Sequence, residues 1–202
     1  MTVLQPFDAI GAYYDRLVAE HGHSHRAADN GRAESQQIKF RVLSDVMPLA
    51  GKNVLDVGCG FADYADYLAQ RFPGVGYTGV DLSQAMVNGA QRAHPGLAVR
   101  RLNILHDDPG RFDVVTANGI FYLLGAQAPD LMRDLVARMF ALCREAVAFN
   151  SLSTWAPDPE ASEFYADPAE TLAFCRTLTP RVTLRHDYHT RDFTVYLYRA
   201  GA

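Results

Sequence analysis

From about residue 53 onward, short apolar runs alternate with stretches whose apolar residues recur at helical spacing. Several of these runs are almost entirely apolar, which is typical of strands buried on both faces of a sheet. Their alternation with amphipathic helices predicts an α/β fold in which helices on both faces cover a mostly parallel sheet. The seven predicted strands are Asn53–Val57, Gly76–Asp81, Ala98–Leu102, Phe112–Ala117, Ala146–Leu152, Val182–His186 and Phe193–Tyr198.

The stretches between the strands predict helices. Apolar residues recur at helical spacing over 61–72 and 131–142, so each stretch has one face that can pack on the sheet. Asp167 followed by Pro168 is typical of a helix start, and this third helix is expected to end at about Leu178.

The connection between the last two strands is too short for a crossover helix, because it contains only about His186–Arg191. These strands should therefore pair antiparallel as a hairpin. A Rossmann-like, mostly parallel sheet with an antiparallel final strand differs from the dinucleotide-binding Rossmann fold, whose strands are normally all parallel.

The first 45 residues lack the strand pattern and predict two helices joined by a polar loop, HGHSHRAADNGR. This loop is too polar to bury and longer than a minimal connection, so we expect residues 1–45 to form a helical lid over the functional edge of the sheet. We predict a single domain, 1–202, with the lid at 1–45 and the core at 46–202.

Composition and charge narrow the possible functions. The chain has 202 residues, 49% of them hydrophobic, and a formal net charge of -4, which disfavours a nucleic-acid partner. Its three cysteines show neither a disulfide framework nor zinc-site spacing, which fits a reducing cytoplasm. The sequence contains no segment typical of a secretion signal or a membrane span.

The clearest local motif is VLDVGCGFAD, in which a buried strand ends in Asp56 and continues into a glycine turn before a helix. Gly58 and Gly60 would let the main chain turn sharply and approach a ligand, and Ala62 is small where the helix packs against the strand. Such a turn alone also fits a simple strand-to-helix connection. About twenty residues later another strand ends in Asp81, whose carboxylate could accept hydrogen bonds from ribose hydroxyls.

The motifs VLDVGCGFADY, GVDLSQAMV and FDVVTANGIFYLL resemble those of class I S-adenosylmethionine-dependent methyltransferases, and the resemblance covers about residues 40–200. It implies S-adenosyl-L-methionine as cofactor and S-adenosyl-L-homocysteine as product. Asp56 and the turn glycines would flank its methionine part, Asp56 through the amino group or water, and Asp81 would hold the ribose. The implied cofactor residues are Asp56, Gly58, Gly60, Asp81, Leu82, Met86, Asn103, Ile104, Asn118 and Gly119.

Some of these residues also fit other roles. Met86 would pack against adenine or simply in the core of its helix, and Asn103 occupies a position where the family often has Asp. An Asn carbonyl oxygen can accept the same hydrogen bond from the adenine amino group. Phe121 and Tyr122 are expected to wall the substrate pocket, although ordinary core packing is the alternative.

The N-terminal segment resembles that of a small bacterial methyltransferase subgroup, through Tyr13-Tyr14, His21-Gly22 and Glu34-Ser35-Gln36. The resemblance implies that Tyr14 and Gln36 contact methionine or acceptor, the alternative being a solvent-facing position. Trp155 follows strand five and would stack on a planar or cationic acceptor or cap the core.

The sequence predicts the catalytic group less clearly than the cofactor residues. Methyl transfer to an amine needs mainly alignment, whereas a hydroxyl acceptor benefits from a base. His21 is our candidate base, and the alternating histidines His21, His23 and His25 match no metal-site spacing, so we expect no metal. We expect an enzyme that methylates an oxygen or nitrogen of a small molecule, as a monomer or homodimer. The alternatives are a repurposed methyltransferase fold, a partner subunit or, least favoured, a nicotinamide-dependent dehydrogenase.

Overall fold

The computed structural model of the protein describes residues 6–24 and 33–201. All seven predicted strands are present, and the largest difference is that the fifth begins at Cys143 and not at Ala146, because Cys143 both ends a helix and pairs with Phe112. The elements are α1 Pro6–His21, α2 Ala33–Ser44, β1 Asn53–Val57, α3 Asp63–Arg71, β2 Gly76–Asp81, α4 Gln84–Ala93, β3 Ala98–Arg101, β4 Phe112–Ala117, a 3-10 turn Gly125–Gln127, α5 Ala128–Leu142, β5 Cys143–Leu152, α6 Pro168–Leu178, β6 Val182–Arg185 and β7 Asp192–Tyr198.

The strands form one sheet in the order β3-β2-β1-β4-β5-β7-β6. Neighbours from β3 to β5 run parallel, whereas β7 is antiparallel to both β5 and β6. This arrangement confirms the Rossmann-like sheet with an antiparallel final strand. Since β1 to β5 all end at the same edge, we call it the carboxyl edge, and the first residue of β7, Asp192, reaches this edge as the partner of Leu152.

Helices cover both faces of the sheet, as the sequence predicts. One core packs α5 and α6 against residues such as Leu55 and Val147, and the other packs α2 and α3 against residues such as Val54 and Ala148. The Asp167 carboxylate accepts hydrogen bonds from the backbone N–H groups of Ala169 and Glu170, which confirms the expected start of α6.

The N-terminal helices attach to opposite ends of the sheet. On α1, the Asp15 carboxylate accepts hydrogen bonds from the Ser83 hydroxyl and the Ala85 backbone N–H at the start of α4. On α2 and just beyond it, the carbonyl oxygens of Val42 and Val46 accept hydrogen bonds from Tyr196 and Tyr198 of β7. The two predicted helices are therefore present, and most of the polar loop expected between them lies outside the described residues.

Candidate active site

A cavity of about 210 Å³ lies between the carboxyl edge and the N-terminal helices. Each implied cofactor residue lines this cavity, and so do four of the five predicted substrate-pocket residues. Those residues are Asp56, Gly58, Gly60, Asp81, Leu82, Met86, Asn103, Ile104, Asn118 and Gly119, together with Tyr14, Gln36, Phe121 and Tyr122. The structure thus brings residues from both N-terminal helices and four strand ends to one place.

The glycine turn after β1 has the open main chain that the motif predicts. Gly58 and Gly60 have φ angles of 72° and 54°, in the left-handed region that favours glycine. A Cβ atom at Gly60 would meet no protein atom within 4 Å, so the cavity lies directly against main chain there. Ala62 also has a positive φ of 65° and is completely buried, so this position needs a small residue in a left-handed turn.

Asp81 joins the glycine turn to the start of α4. One carboxylate oxygen accepts a hydrogen bond from the Gly60 backbone N–H and the other from the Ser83 backbone N–H, both at 2.9 Å. Burial raises the pKa of Asp81, although these hydrogen bonds partly offset it. Because each carboxylate oxygen can accept a second hydrogen bond, Asp81 can also bind a diol from the cavity.

Asp56 is a buried acid whose described partners are hydroxyl groups. Tyr77 donates a hydrogen bond to one carboxylate oxygen at 2.7 Å, and Thr116 donates to the other at 3.2 Å. Burial raises the pKa of Asp56 to about 7, despite these two hydrogen bonds. A carboxyl group in this setting would be stabilised in its charged form by a cation in the cavity.

The side chains beyond β2 and β3 form an apolar wall. Met86 is 2% exposed and packs against Phe61 and Tyr14, so it belongs both to a small core and to the cavity lining. The Asn103 side-chain oxygen accepts a hydrogen bond from the Leu105 backbone N–H at 3.1 Å, which leaves it one further acceptor position.

At the end of β4, a buried amide that no sequence motif indicates organises the turn. Asn150 of β5 accepts a hydrogen bond from the Gly119 backbone N–H at 2.7 Å and donates one to the Asn118 side chain at 2.6 Å. Phe121 lines the cavity and also packs edge-on against Phe149 in the core.

The predicted lid residues contact the core from two directions. The hydroxyl groups of Tyr14 on α1 and Tyr122 after β4 are hydrogen-bonded to each other. On α2, the Gln36 amide donates a hydrogen bond to the Asp63 carboxylate at the start of α3, at 3.3 Å. The cavity is therefore bounded by side chains of the N-terminal segment.

Two predicted site residues do not line the cavity. His21 has a 39% exposed side chain and lies 4.0 Å from Glu20 on its own helix. Trp155 is 58% exposed and stacks on His186, with ring centroids 5.2 Å apart. Both residues occupy exposed positions outside the cavity lining, and their roles in catalysis and acceptor binding stay predictions.

The sequence reasoning missed an ion pair at the opposite end of the cavity. Lys39 of α2 lies 3.0 Å from Asp192 of β7, and both residues line the cavity together with Glu163. The sequence motifs predict ligand contacts at the carboxyl ends of parallel strands, whereas Asp192 begins an antiparallel strand. We call the part of the cavity around Lys39 and Asp192 the β7 end, and the part around Asp56 and Asp81 the β1 end.

Two features are absent from the part of the chain that the structure describes. Over 6–24 and 33–201, no group of three or more His, Cys, Asp and Glu side chains is arranged to hold a metal ion, and His25 lies outside these ranges. None of the helices within those same ranges has the length and apolar character needed to cross a membrane.

Comparisons with known proteins agree with this geometry. A family model described as a methyltransferase domain matches residues 55–145. A putative methyltransferase of Mycobacterium tuberculosis is 28% identical over 169 residues, which cover 80% of this chain and all of that protein. The ubiquinone biosynthesis O-methyltransferase of Pseudomonas paraeruginosa is 35% identical over 99 residues, which cover 40% of this chain and only 42% of that protein.

The fold is also shared with a solved methyltransferase. The crystal structure of magnesium protoporphyrin IX methyltransferase from Synechocystis with bound S-adenosylmethionine superposes with a TM-score of 0.69 over 99% of this chain and 100% of that one, at 16% identity. With the matching family model, the homologous methyltransferases and the sheet order, this likeness confirms the resemblance seen in the motifs. Residues 55–145 match a methyltransferase domain, and together with the relatives and the shared fold this match supports a class I S-adenosylmethionine-dependent methyltransferase.

Proposed function

We propose that the protein transfers a methyl group from S-adenosylmethionine to an oxygen or nitrogen atom of a small-molecule acceptor. The observation that carries this proposal is one continuous cavity, which joins the glycine turn, Asp56 and Asp81 at one end to the charged side chains of α2 and β7 at the other. The cavity thus has distinct ends for two molecules, the cofactor at the β1 end and the acceptor at the β7 end.

The residues of the β1 end fit this cofactor by their chemistry. The open surface at Gly60 admits a ligand against main chain, Asp81 can accept hydrogen bonds from the two ribose hydroxyls, and Asp56 lacks a cation that the amino group would supply. Met86 and Ile104 offer apolar surface for adenine, and the free acceptor position of Asn103 suits its amino group. When bound, S-adenosylmethionine supplies an electrophilic methyl group on a sulfonium.

The remaining residues bind and orient the acceptor and keep water out. Phe121 and Tyr122 wall the cavity, while Tyr14 and Gln36 close it from the N-terminal segment. Such alignment is the main demand of methyl transfer, since the methyl group is already activated. A small acceptor fits a cavity that, among the described residues, is closed by the two N-terminal helices, and the related ubiquinone biosynthesis enzyme is named an O-methyltransferase. We further propose that the protein acts in the cytoplasm as a monomer or homodimer.

Calorimetric titration with S-adenosylhomocysteine tests the proposal. We expect the wild type to bind and Asp81→Ala to bind at least about 100-fold more weakly, because charge-assisted hydrogen bonds of about 1.5–3 kcal/mol each are lost. The control is Asp113→Ala, since Asp113 also accepts a backbone hydrogen bond, from Asn53, but at the opposite edge of the sheet. Small hydroxyl and amine compounds are then screened for release of S-adenosylhomocysteine. A wild type that does not bind this product contradicts the proposal.

A further inference from the structure

The ion pair at the β7 end is almost closed off from solvent. The Asp192 side chain is 4% exposed, and one of its carboxylate oxygens lies 3.0 Å from the Lys39 ammonium, whose own side chain is 19% exposed. The other carboxylate oxygen lies 2.7 Å from Nδ1 of His189 in the hairpin between β6 and β7. Burying two charges is costly unless they are paired and hydrogen-bonded, so three side chains are committed to this one position.

The proton between His189 and Asp192 resides on Nδ1 of His189. Two hydrogen-bond acceptors at 2.7 Å would repel each other without a proton between them. With that proton in place Nδ1 cannot also accept from the Arg191 backbone N–H, which is farther away at 3.2 Å. Burial alone would raise the pKa of Asp192, but the hydrogen bond from His189 and the charge of Lys39 hold it below its usual range. Asp192 is therefore a carboxylate that faces the cavity.

The position of this pair separates it from the cofactor residues. In the sheet, β7 follows β1, β4 and β5 in order. Neighbouring strands are about 4.8 Å apart, so β7 lies about 14 Å across the sheet from β1, where Asp56 ends the strand. Among the described residues that line the cavity, Lys39 has the one basic side chain, and the other charged side chains are carboxylates. The pair consequently belongs to the part of the cavity left for the acceptor.

Lys39 and Asp192 present a hydrogen-bond donor and an acceptor side by side. A hydroxyl group matches both, because its oxygen can accept from the ammonium while its proton goes to the carboxylate. The oxygen keeps a second lone pair for the attack on the methyl group. An amine nitrogen has only one lone pair, so a hydrogen bond from Lys39 would occupy the electrons that must attack. The pair thus favours an oxygen nucleophile.

We propose that the acceptor carries an acidic hydroxyl group, such as a phenol or enol, which Lys39 and Asp192 bind directly. This inference rests on the proposed function. The Lys39 ammonium donates a hydrogen bond to the hydroxyl oxygen, and Asp192 takes the hydroxyl proton. The O–H bond breaks and its electron pair stays on oxygen, and an oxygen lone pair forms the bond to the methyl carbon. The bond between methyl and sulfur breaks at the same time, and its electron pair stays on the sulfur of the product S-adenosylhomocysteine. An acidic hydroxyl is needed because a carboxylate is a weak base, and Lys39 stabilises the charge that develops on oxygen.

The test uses 4-nitrophenol as a probe, because the phenol and phenolate forms absorb at different wavelengths. Protein saturated with S-adenosylhomocysteine is titrated with the probe over a range of pH, which gives the pKa of the bound hydroxyl. We expect Lys39→Met to raise this pKa by about one unit, because a neighbouring cation is lost, and Asp192→Asn to lower it by a similar amount. A purely structural pair would not move the bound probe in opposite directions.

Two further variants make the test specific. Lys39→Arg keeps the positive charge and should preserve the wild-type pKa of the bound probe, even if Lys39→Met fails to fold. Lys52→Met is the matched control, since Lys52 pairs with Glu145 at 2.6 Å and does not line the cavity. It should leave the probe unchanged.

The outcomes separate the two proposals. If the wild type does not bind S-adenosylhomocysteine, the proposed function fails. If it binds the product but not the probe, or if Lys39→Met and Asp192→Asn shift the bound probe in the same direction or not at all, the inference about the acceptor is overturned.

Discussion

The two ends of the cavity are built from different parts of the protein. At the β1 end, Asp81 accepts hydrogen bonds from two backbone N–H groups, and Gly60 presents main chain directly to the cavity. At the β7 end, the surface consists of side chains contributed by distant segments, such as Lys39 and Asp192. A turn built from main chain suits a ligand that is the same in all related enzymes. Side chains, in contrast, can be substituted without disturbing the sheet. The difference suggests why a common cofactor site can serve different acceptors.

The most damaging change should be one that fills the main-chain surface at the β1 end. Gly60→Leu would place a side chain in the cavity where no protein atom lies within 4 Å of a Cβ. We expect calorimetry to show loss of S-adenosylhomocysteine affinity of at least about 100-fold, because the ligand and the new side chain would occupy the same space.

The control for this variant is Gly51→Leu, which lies before β1 at the opposite edge of the sheet. Gly51 has a φ of 70°, and its Cβ would also meet nothing within 4 Å, so both variants carry a similar backbone strain of about 1–2 kcal/mol. Thermal unfolding should show comparable destabilisation, while only Gly60→Leu loses the ligand. Equal affinities in the two variants would contradict a main-chain cradle.

A smaller effect is expected from the charge of Asp56, which has a pKa of about 7 in the free protein. Below this pH the carboxyl is mostly neutral, so wild-type affinity for S-adenosylhomocysteine should rise with pH, by up to about tenfold per unit, and level off above pH 7. Asp56→Asn should bind about tenfold more weakly at pH 8 and show no such rise.

The same ionisation affects stability with a defined sign. Because burial raises the pKa of Asp56 above its ordinary value of 3.8, folding favours the protonated form, and stability is lost as pH rises from about 4 to about 7. Asp56→Asn cannot ionise, so without ligand it should melt at a higher temperature than the wild type at pH 8. This advantage should disappear near pH 4, and an advantage that is the same at both values would count against a buried charge.

The smallest effect is expected from the contact between Tyr14 and Tyr122, which joins the N-terminal segment to the core. Removing one hydroxyl group in Tyr14→Phe or Tyr122→Phe should reduce affinity for S-adenosylhomocysteine about threefold to tenfold, in line with a hydrogen bond of about 1 kcal/mol. The double variant should be little worse than either single one, because the two residues share that bond.

Tyr198→Phe serves as the control, since Tyr198 donates a hydrogen bond to the Val46 carbonyl oxygen and does not line the cavity. It should lower the free energy of unfolding without changing affinity. Fully additive losses in the Tyr14 and Tyr122 variants would show that the two hydroxyl groups act independently.

The β1 end could be predicted from the sequence because its chemistry is local. A strand, an acid and a glycine turn follow one another within VLDVGCG, and the strand that ends in Asp81 comes shortly afterwards. The antiparallel hairpin was equally accessible, because the connection between β6 and β7 is too short for a crossover. A sharp main-chain turn requires glycine, which is visible in the sequence. A short connection between two strands limits how those strands can pair.

The β7 end could not be predicted in the same way. Lys39 and Asp192 are separated by most of the chain, and each looks alone like an ordinary charged residue. Asn150, buried in the middle of the sheet, is another case in which only the neighbouring strand reveals the role. His21 and Trp155 are the reverse case, because they have suitable chemistry but do not line the cavity, and their roles stay predictions.

The attachment of α2 to β7 also bears on the order in which the site is completed. Tyr196 and Tyr198 hold the segment around α2, although they lie 154 and 152 residues away from their partners Val42 and Val46. Contacts between such distant parts of a chain are slow to form, because a long loop must close first. A ribosome must synthesise almost the whole chain before α2 can settle in place. The hydrogen-bond partners of Asp56 and Asp81 lie within 60–116, so the β1 end can form while the β7 end is still open.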